Sequence, residues 1–205
     1  MNIFMLVVIL SLIGLAIFYF AFFRGWQLRW GATDEEIKRA LPGDDIVSRP
    51  TFNATRAVSI EAQAEHIFPW IVQIGARRAG WYSYDLLDNL GKPSAKEILP
   101  EHQNIQVGNL VPMSPDGKQG LWVKDFNHPG WILWWDKAGD TSWAWCIFPQ
   151  ENGRSRLVTR VRVRYRWLSL TILFNLIIEF GDIWMMRKCM LGIKKRAEQL
   201  AVARA

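Results

Sequence analysis

The chain has 205 residues, half of them apolar and 21% charged, with a formal net charge of +6. That length allows one globular domain of ordinary size and an appendage, and does not point to two domains. The charged fraction is that of a soluble protein, so the apolar excess must be concentrated in one place.

It is concentrated at the N-terminus. Ile3 to Phe23 is a run of 21 residues without a charge, long enough as a helix to cross the roughly 30 Å hydrocarbon core of a bilayer. A cleaved signal peptide would want a basic start, a shorter apolar core and a small-residue cleavage site, whereas Ala16 to Phe23 is bulky and aromatic. The sequence therefore predicts a retained single-pass anchor over residues 1–24. Arg24 and Arg29 follow it, with Trp26 and Trp30 suited to the interface. The positive flank places the C-terminal domain in the cytoplasm, at the cell membrane. Two cysteines, Cys146 and Cys189, fit a reducing compartment, and neither has a Cys or His at metal-ligand spacing.

Residues 25–50 read as a juxtamembrane linker. Thr33 followed by Asp34, Glu35 and Glu36 caps a short helix, and Leu41-Pro42-Gly43-Asp44 ends it. The domain proper is expected over residues 51–203. It starts with a strand at Thr55 to Ile60, followed by a helix whose apolar stripe is Ile67, Trp70, Ile71 and Ile74, stopped by Gly75. Pro69 either begins that helix or kinks a longer one. Trp81 to Leu90 is a second helical candidate closed by Gly91. In it Tyr82 and Tyr84 have the apolar ring and polar tip of a half-wet cavity wall or, equally, of a core edge, and Asp85 is a first-turn acid of the kind that commonly caps a helix. Glu101 beside His102 is a weak acid–base candidate, since adjacent side chains diverge.

Strand signals then recur at Leu110 to Met113, Leu121 to Phe126, Trp131 to Asp136, Ser142 to Phe148 and Ser155 to Trp167, with turn residues between them. Short connections predict an antiparallel meander. In the last strand Leu157, Thr159, Val161, Val163 and Tyr165 alternate with Arg156, Arg160, Arg162, Arg164 and Arg166. One face is greasy and the other cationic. The cationic face is expected either to be ion-paired with its neighbours or to meet anionic headgroups through Arg160, Arg162, Arg164 and Arg166. From Arg154 onward there are twelve Lys and Arg against three acids, and before it thirteen against sixteen. The basic character belongs to the last strand and helix.

Of the twelve tryptophans, alternation separates Trp134 from Trp135 and puts Trp143 and Trp145 on one face, across the hairpin from the greasy side of the last strand. From Leu168 to about Ala203 the chain reads as one long helix with a stripe of Leu170, Phe174, Ile177, Gly181 and Trp184. Its uncharged piece, Leu168 to Ile178, is too short to span a membrane and is expected to pack into the sheet, with contact to the membrane interface as the further option.

Strand, two helices, meander and long C-terminal helix is the order of the helix-grip fold, an α+β architecture. At Trp30-Gly31-Ala32-Thr33, Leu41-Pro42-Gly43-Asp44, Trp70-Ile71-Val72-Gln73-Ile74-Gly75, Tyr82-Ser83-Tyr84-Asp85, Pro100-Glu101-His102-Gln103 and Gly192-Ile193-Lys194-Lys195-Arg196 the chain resembles the SRPBCC superfamily. That group includes START-type lipid-transfer domains and polyketide cyclases, and the nearer resemblance is to bacterial members without an assigned function. It implies a deep apolar cavity beneath the long helix and no particular reaction. The residues themselves offer Trp70, Tyr82, Tyr84, Asp85, Trp143 and Trp145 as candidate ligand contacts, while each strand indole taken singly reads more readily as core. The expected activity is binding of a hydrophobic small molecule, a lipid, isoprenoid or polyketide-like compound, without cofactor or metal. The rival is a cyclase or dehydratase acting on an aromatic or polyene substrate with Tyr82, Tyr84 or Asp85 as acid or base. Nucleic acid is a poor candidate partner, because no recognised motif or stacking platform accompanies the charge. The signatures GxxxxGK, HExxH and GxSxG are absent from the sequence.

Overall fold

The computed structural model describes residues 2–165 and 172–204. The N-terminal run is one helix from Ile3 to Arg29. It comprises α1 (Ile3–Phe18), a π-turn at Tyr19–Phe23 and α2 (Arg24–Arg29), with the Arg24 amide donating to the Tyr19 carbonyl. Among the described residues, none of its most apolar stretch is buried in the protein. It is long and apolar enough to cross a membrane.

Six strands form one antiparallel sheet in the order β1-β6-β5-β4-β3-β2. They are β1 (Phe52–Ile60), β2 (Leu110–Pro112), β3 (Gly120–Asn127), β4 (Trp131–Trp135), β5 (Thr141–Pro149) and β6 (Ser155–Val163). The meander is consecutive, and β1 closes it by pairing with β6 from Phe52↔Val163 to Ile60↔Ser155. On the far side of β1 the Ala57 amide donates to the Trp30 carbonyl at 3.1 Å, and Lys194 Nζ donates to the Ser59 carbonyl at 2.7 Å. The opposite strand, β2, has three residues and ends in Pro112.

α4 (Ala64–Val72) buries Ile67, Phe68, Trp70 and Ile71 against the sheet, with Pro69 inside the helix. α6 (Ile172–Ala203) is 32 residues long. Its buried side chains Ile183, Met186, Met190, Ile193 and Ala197 follow spacings of three and four, which is the stripe of a helix packed along one side. Met186, Met190, Ile193 and Ala197 join α4 and the inner sheet face in one core. This is the expected helix-grip arrangement. Leu170 of the predicted stripe and the predicted helix start at Leu168 lie outside the described residues, as do the side chains of Phe174 and Ile177. Trp184, also on that stripe, is 43% exposed and meets the N-terminal helix at Phe23 and Trp26. Among the described side chains of this helix, the face through Met186 and Met190 is the one in the core.

The second expected helix is reduced to one turn, α5 (Asp85–Asp88). Tyr82 lies in the left-handed region at φ 55°, just after Gly80 at φ 79°, so the chain cannot wind helically through Trp81 to Ser83. The backbone is held there because the Tyr82 amide donates to Ser94 Oγ at 3.0 Å.

Residues 31–49 do not stand free between the N-terminal helix and the domain. α3 (Asp34–Lys38) has the predicted cap, with Thr33 and Glu36 exchanging side-chain and backbone hydrogen bonds. The segment lies on the outer sheet face, where Leu41 joins Ala57, Leu133, Ala144, Cys146 and Val158 in a second small core. Gly43, at φ 83°, sits where any Cβ would collide with the Leu133 side chain. Both faces of the sheet are thus covered, and burial pushes the Cys146 thiol up to about 12.

Candidate functional site

The sheet alternation delivers the indoles as predicted. Trp143 is opposite Val161 and Trp145 opposite Thr159, while Trp134 pairs with Trp143. All three point inward. Trp143 and Trp145 stack with centroids 5.3 Å apart, Trp134 meets Trp143 edge-on at 5.2 Å, and Trp81 stacks on Trp143 at 6.0 Å. Trp70 and Tyr82 form a further edge-on pair at 5.9 Å in the same core. The rings expected to line a cavity therefore touch one another. On the other sheet face Trp135 takes Lys124 Nζ over its ring at 4.2 Å.

The polar edges of these rings are unequal. Trp143 Nε1 donates to Thr159 Oγ1 at 2.7 Å, and that hydroxyl donates onward to the Ala144 carbonyl. Nε1 of Trp70, Trp134 and Trp145 is buried without a hydrogen-bond partner. A buried donor left unmade costs about 1–3 kcal/mol. All three belong to the one core that the inner sheet face, α4 and α6 share.

The Tyr82 to Asp85 block is engaged in holding the 80–95 loop. Tyr82 is buried, and its hydroxyl donates to the Trp70 carbonyl at 3.1 Å. Burial raises its pKa well above the ordinary tyrosine value, so it remains a donor. Asp85 accepts from Ser94 Oγ, and Arg196 lies over the Tyr82 ring at 4.5 Å while donating to the Ala95 carbonyl. Tyr84 is 39% exposed and lies under Lys188 Nζ at 3.8 Å. The six expected site residues thus divide. Trp70, Tyr82, Trp143 and Trp145 share the core, while Tyr84 and Asp85 sit at its rim.

A second locus escaped sequence reasoning. Where the N-terminal helix leaves its apolar run, Glu179 of α6 is buried and accepts from Arg24 Nε at 2.7 Å, from the Tyr19 hydroxyl at 3.2 Å and from the Tyr165 hydroxyl at 2.8 Å. Gln27 Nε2 donates to Tyr19 at 2.7 Å, and Arg24 also reaches the Thr51 carbonyl. One turn on, the fully buried Arg56 donates to the Gln27 carbonyl at 2.8 Å and pairs with Asp182 at 2.5 Å. Burial pushes the Asp182 carboxyl up even so. A crevice of about 420 Å³ opens here, lined by Tyr19, Phe20, Arg24, Thr51, Tyr165, Glu179 and Phe180. The sequence signal was Glu179 itself, the first acid after the uncharged piece that ends at Ile178.

The cationic face of β6 is covered by the 31–49 segment. Arg160, 4% exposed, donates to Thr55 Oγ1, Asp44 and the carbonyls of Glu36, Ile37 and Arg39. Arg162 donates to Asp44 and the Val47 carbonyl, and Arg156 to Glu36. Local carboxylates and carbonyls thus occupy the donors that headgroups were expected to meet at Arg160 and Arg162. Arg164 keeps a side chain 47% exposed, 3.7 Å from Asp140. Arg166 lies outside the described residues.

No family model and no curated protein matches the chain. Solved structures overlap it partially. The KanY protein matches at 13% identity and a TM-score of 0.44, over 71% of this chain and 97% of its own. The Polyketide_cyc-like protein Cgl2372 from Corynebacterium glutamicum matches at 12% and 0.43, over 69% and 88%. The self-sacrificing resistance protein CalC from Micromonospora echinospora matches at 8% and 0.41, over 73% and 96%. All three likenesses are distant. They carry neither a ligand nor a reaction to the present chain.

Proposed function

We propose that the protein is a single-pass membrane protein whose cytoplasmic helix-grip domain binds a hydrophobic small molecule carrying a hydrogen-bond acceptor. The observation that carries this reading is the set of three buried indole donors, Trp70, Trp134 and Trp145, without acceptors. A lipid, isoprenoid or polyketide-like guest with a carbonyl or carboxylate would satisfy them while its apolar body replaced ring–ring contact. The anchor supports the reading, because such guests partition into bilayers and a tethered domain meets them at high effective concentration. Arg24 and Arg29, after an uncharged start, support the cytoplasmic side.

Native mass spectrometry with solvent extraction of the detergent-purified protein tests it. The expected result is a co-purifying acceptor-bearing apolar molecule whose occupancy falls in a combined Trp134→Phe and Trp145→Phe variant. A protein that carries only its own mass, or an occupancy indifferent to both substitutions, overturns it.

A further inference from the structure

The N-terminal helix and α6 lie side by side and run in the same direction. Tyr19 and Phe23 meet Phe180 at 6.0 and 5.6 Å, Phe23 and Trp26 meet Trp184 at 6.3 Å each, and Trp30 lies under Arg187 at 5.6 Å. Both partners advance together along these pairs. The two helices also carry one chemical ladder in step. An uncharged stretch ends at Phe23 in one and Ile178 in the other. Next come the paired charges Arg24 and Glu179, then Trp26 and Trp184, then the basic residues Arg29 and Arg187.

That order is the polarity profile of a membrane boundary, with apolar residues, a neutralised ion pair, indoles at the headgroups and cations beyond. Phe180 is level with the end of the anchor's apolar run, and Ile172, where α6 begins, lies eight residues earlier, or about 12 Å. Residues 172–178 contain Asn175 and otherwise only Ile, Leu and Phe. Phe180 is 54% exposed, and Phe20, which lines the same crevice, is 68% exposed. Water would face both rings there.

We propose that the first turns of α6, residues 172–180, are immersed in the cytoplasmic leaflet beside the anchor, with lipid acyl chains as the occupant of this face. The inference rests on the reading of the N-terminal helix as a membrane span. The domain is then held by two inserted helices clamped through Arg24 and Glu179, and the crevice at Tyr19 and Phe180 opens at the bilayer boundary.

The test attaches an environment-sensitive NBD label to single added cysteines in the full chain. The chain is reconstituted in vesicles of phosphatidylcholine and phosphatidylglycerol, with and without doxyl-labelled phosphatidylcholine. The variants are Leu10→Cys within the anchor, Phe180→Cys, Leu191→Cys and Lys118→Cys on a remote turn. The native thiols are both buried, and unsubstituted protein sets the labelling background. Lipid quenching at position 180 above that at 118, and declining at 191, is the expected result. Strong quenching at 10 with 180 no higher than 118 overturns the inference while leaving the anchor standing. Failure of quenching at position 10 itself overturns the anchor reading and this inference with it.

Discussion

Glu179 and Arg24, 155 residues apart in the chain, meet at 2.7 Å between the N-terminal helix and α6. Glu179 is 5% exposed and Arg24 27%, so the pair joins the two halves of the molecule in a low-dielectric setting. Removing one partner leaves a desolvated charge, which costs more than the pair itself contributes. Glu179→Ala should lower stability by about 2–3 kcal/mol, the partial exposure of Arg24 holding the loss toward the low end. Adding Arg24→Met should recover part of it. A double-mutant cycle in detergent-solubilised protein, read by thermal unfolding, measures the coupling. Strict additivity would mean that the two side chains do not interact.

Glu36 and Arg156 set an acid limit on the 31–49 segment. Burial alone would raise the Glu36 carboxyl, but hydrogen bonds from Arg156 and Thr33 outweigh it and hold its pKa below the usual range. A depressed folded value means stability that is present above the ordinary carboxyl pKa of about 4.3 and is lost as pH falls through the folded one. Wild-type protein should therefore lose stability more steeply than Glu36→Gln below about pH 4.3, the two curves converging in acid. At pH 7 the variant should melt roughly 4–8 °C lower, for a loss of about 2 kcal/mol. Parallel pH profiles would show that Glu36 does not titrate differently on folding.

The indoles offer a matched comparison. Trp143→Phe removes a donor bonded to Thr159 Oγ1, whereas Trp134→Phe removes one with no partner. The two substitutions delete the same atoms from one core, so their difference isolates the hydrogen bond. Trp143→Phe should cost about 1 kcal/mol more in chemical denaturation of ligand-free protein. Equal losses would imply that Trp134 Nε1 has an acceptor in solution.

Gly192 is where α6 touches the 80–95 loop. A Cβ there would collide with the Tyr82 carbonyl oxygen and side chain. Alanine normally stabilises a helix interior by about 1 kcal/mol over glycine, so a loss on Gly192→Ala would report the close approach directly. The expected loss is about 1–3 kcal/mol, together with greater proteolysis of the 80–95 loop. A gain in melting temperature would place the loop further from α6.

These results show where the sequence was readable. Alternation along β6 placed Leu157, Thr159 and Val161 inward and the arginines outward, because a period of two is a local property of the chain. The same period carried Trp143 and Trp145 to one face. The fate of the arginine face was not local. It depended on Glu36 and Asp44 folding back over more than a hundred residues, and a Thr-Asp-Glu-Glu cap reads the same on a stalk as on a packed strap. The helix predicted from Trp81 failed because a hydroxyl at Ser94 fixes Tyr82 in a left-handed conformation. α6 presented apolar residues to two partners, and Trp184, on the stripe read from the sequence, faces the N-terminal helix rather than the sheet. The expected site residues Trp70, Tyr82, Trp143 and Trp145 were legible as inward-facing aromatics, but ring-to-ring contact and unpartnered donors are properties of the assembled core.

An unpaired strand margin is an invitation to lateral polymerisation between copies of a sheet. Here the margin of β1 is occupied at the Ala57 amide by Trp30 and at the Ser59 carbonyl by Lys194. The other margin is three residues long and terminates in Pro112. Trp30, Lys194 and Pro112 thus block both margins of the sheet at these points, opposing the annealing of separate copies into one ribbon.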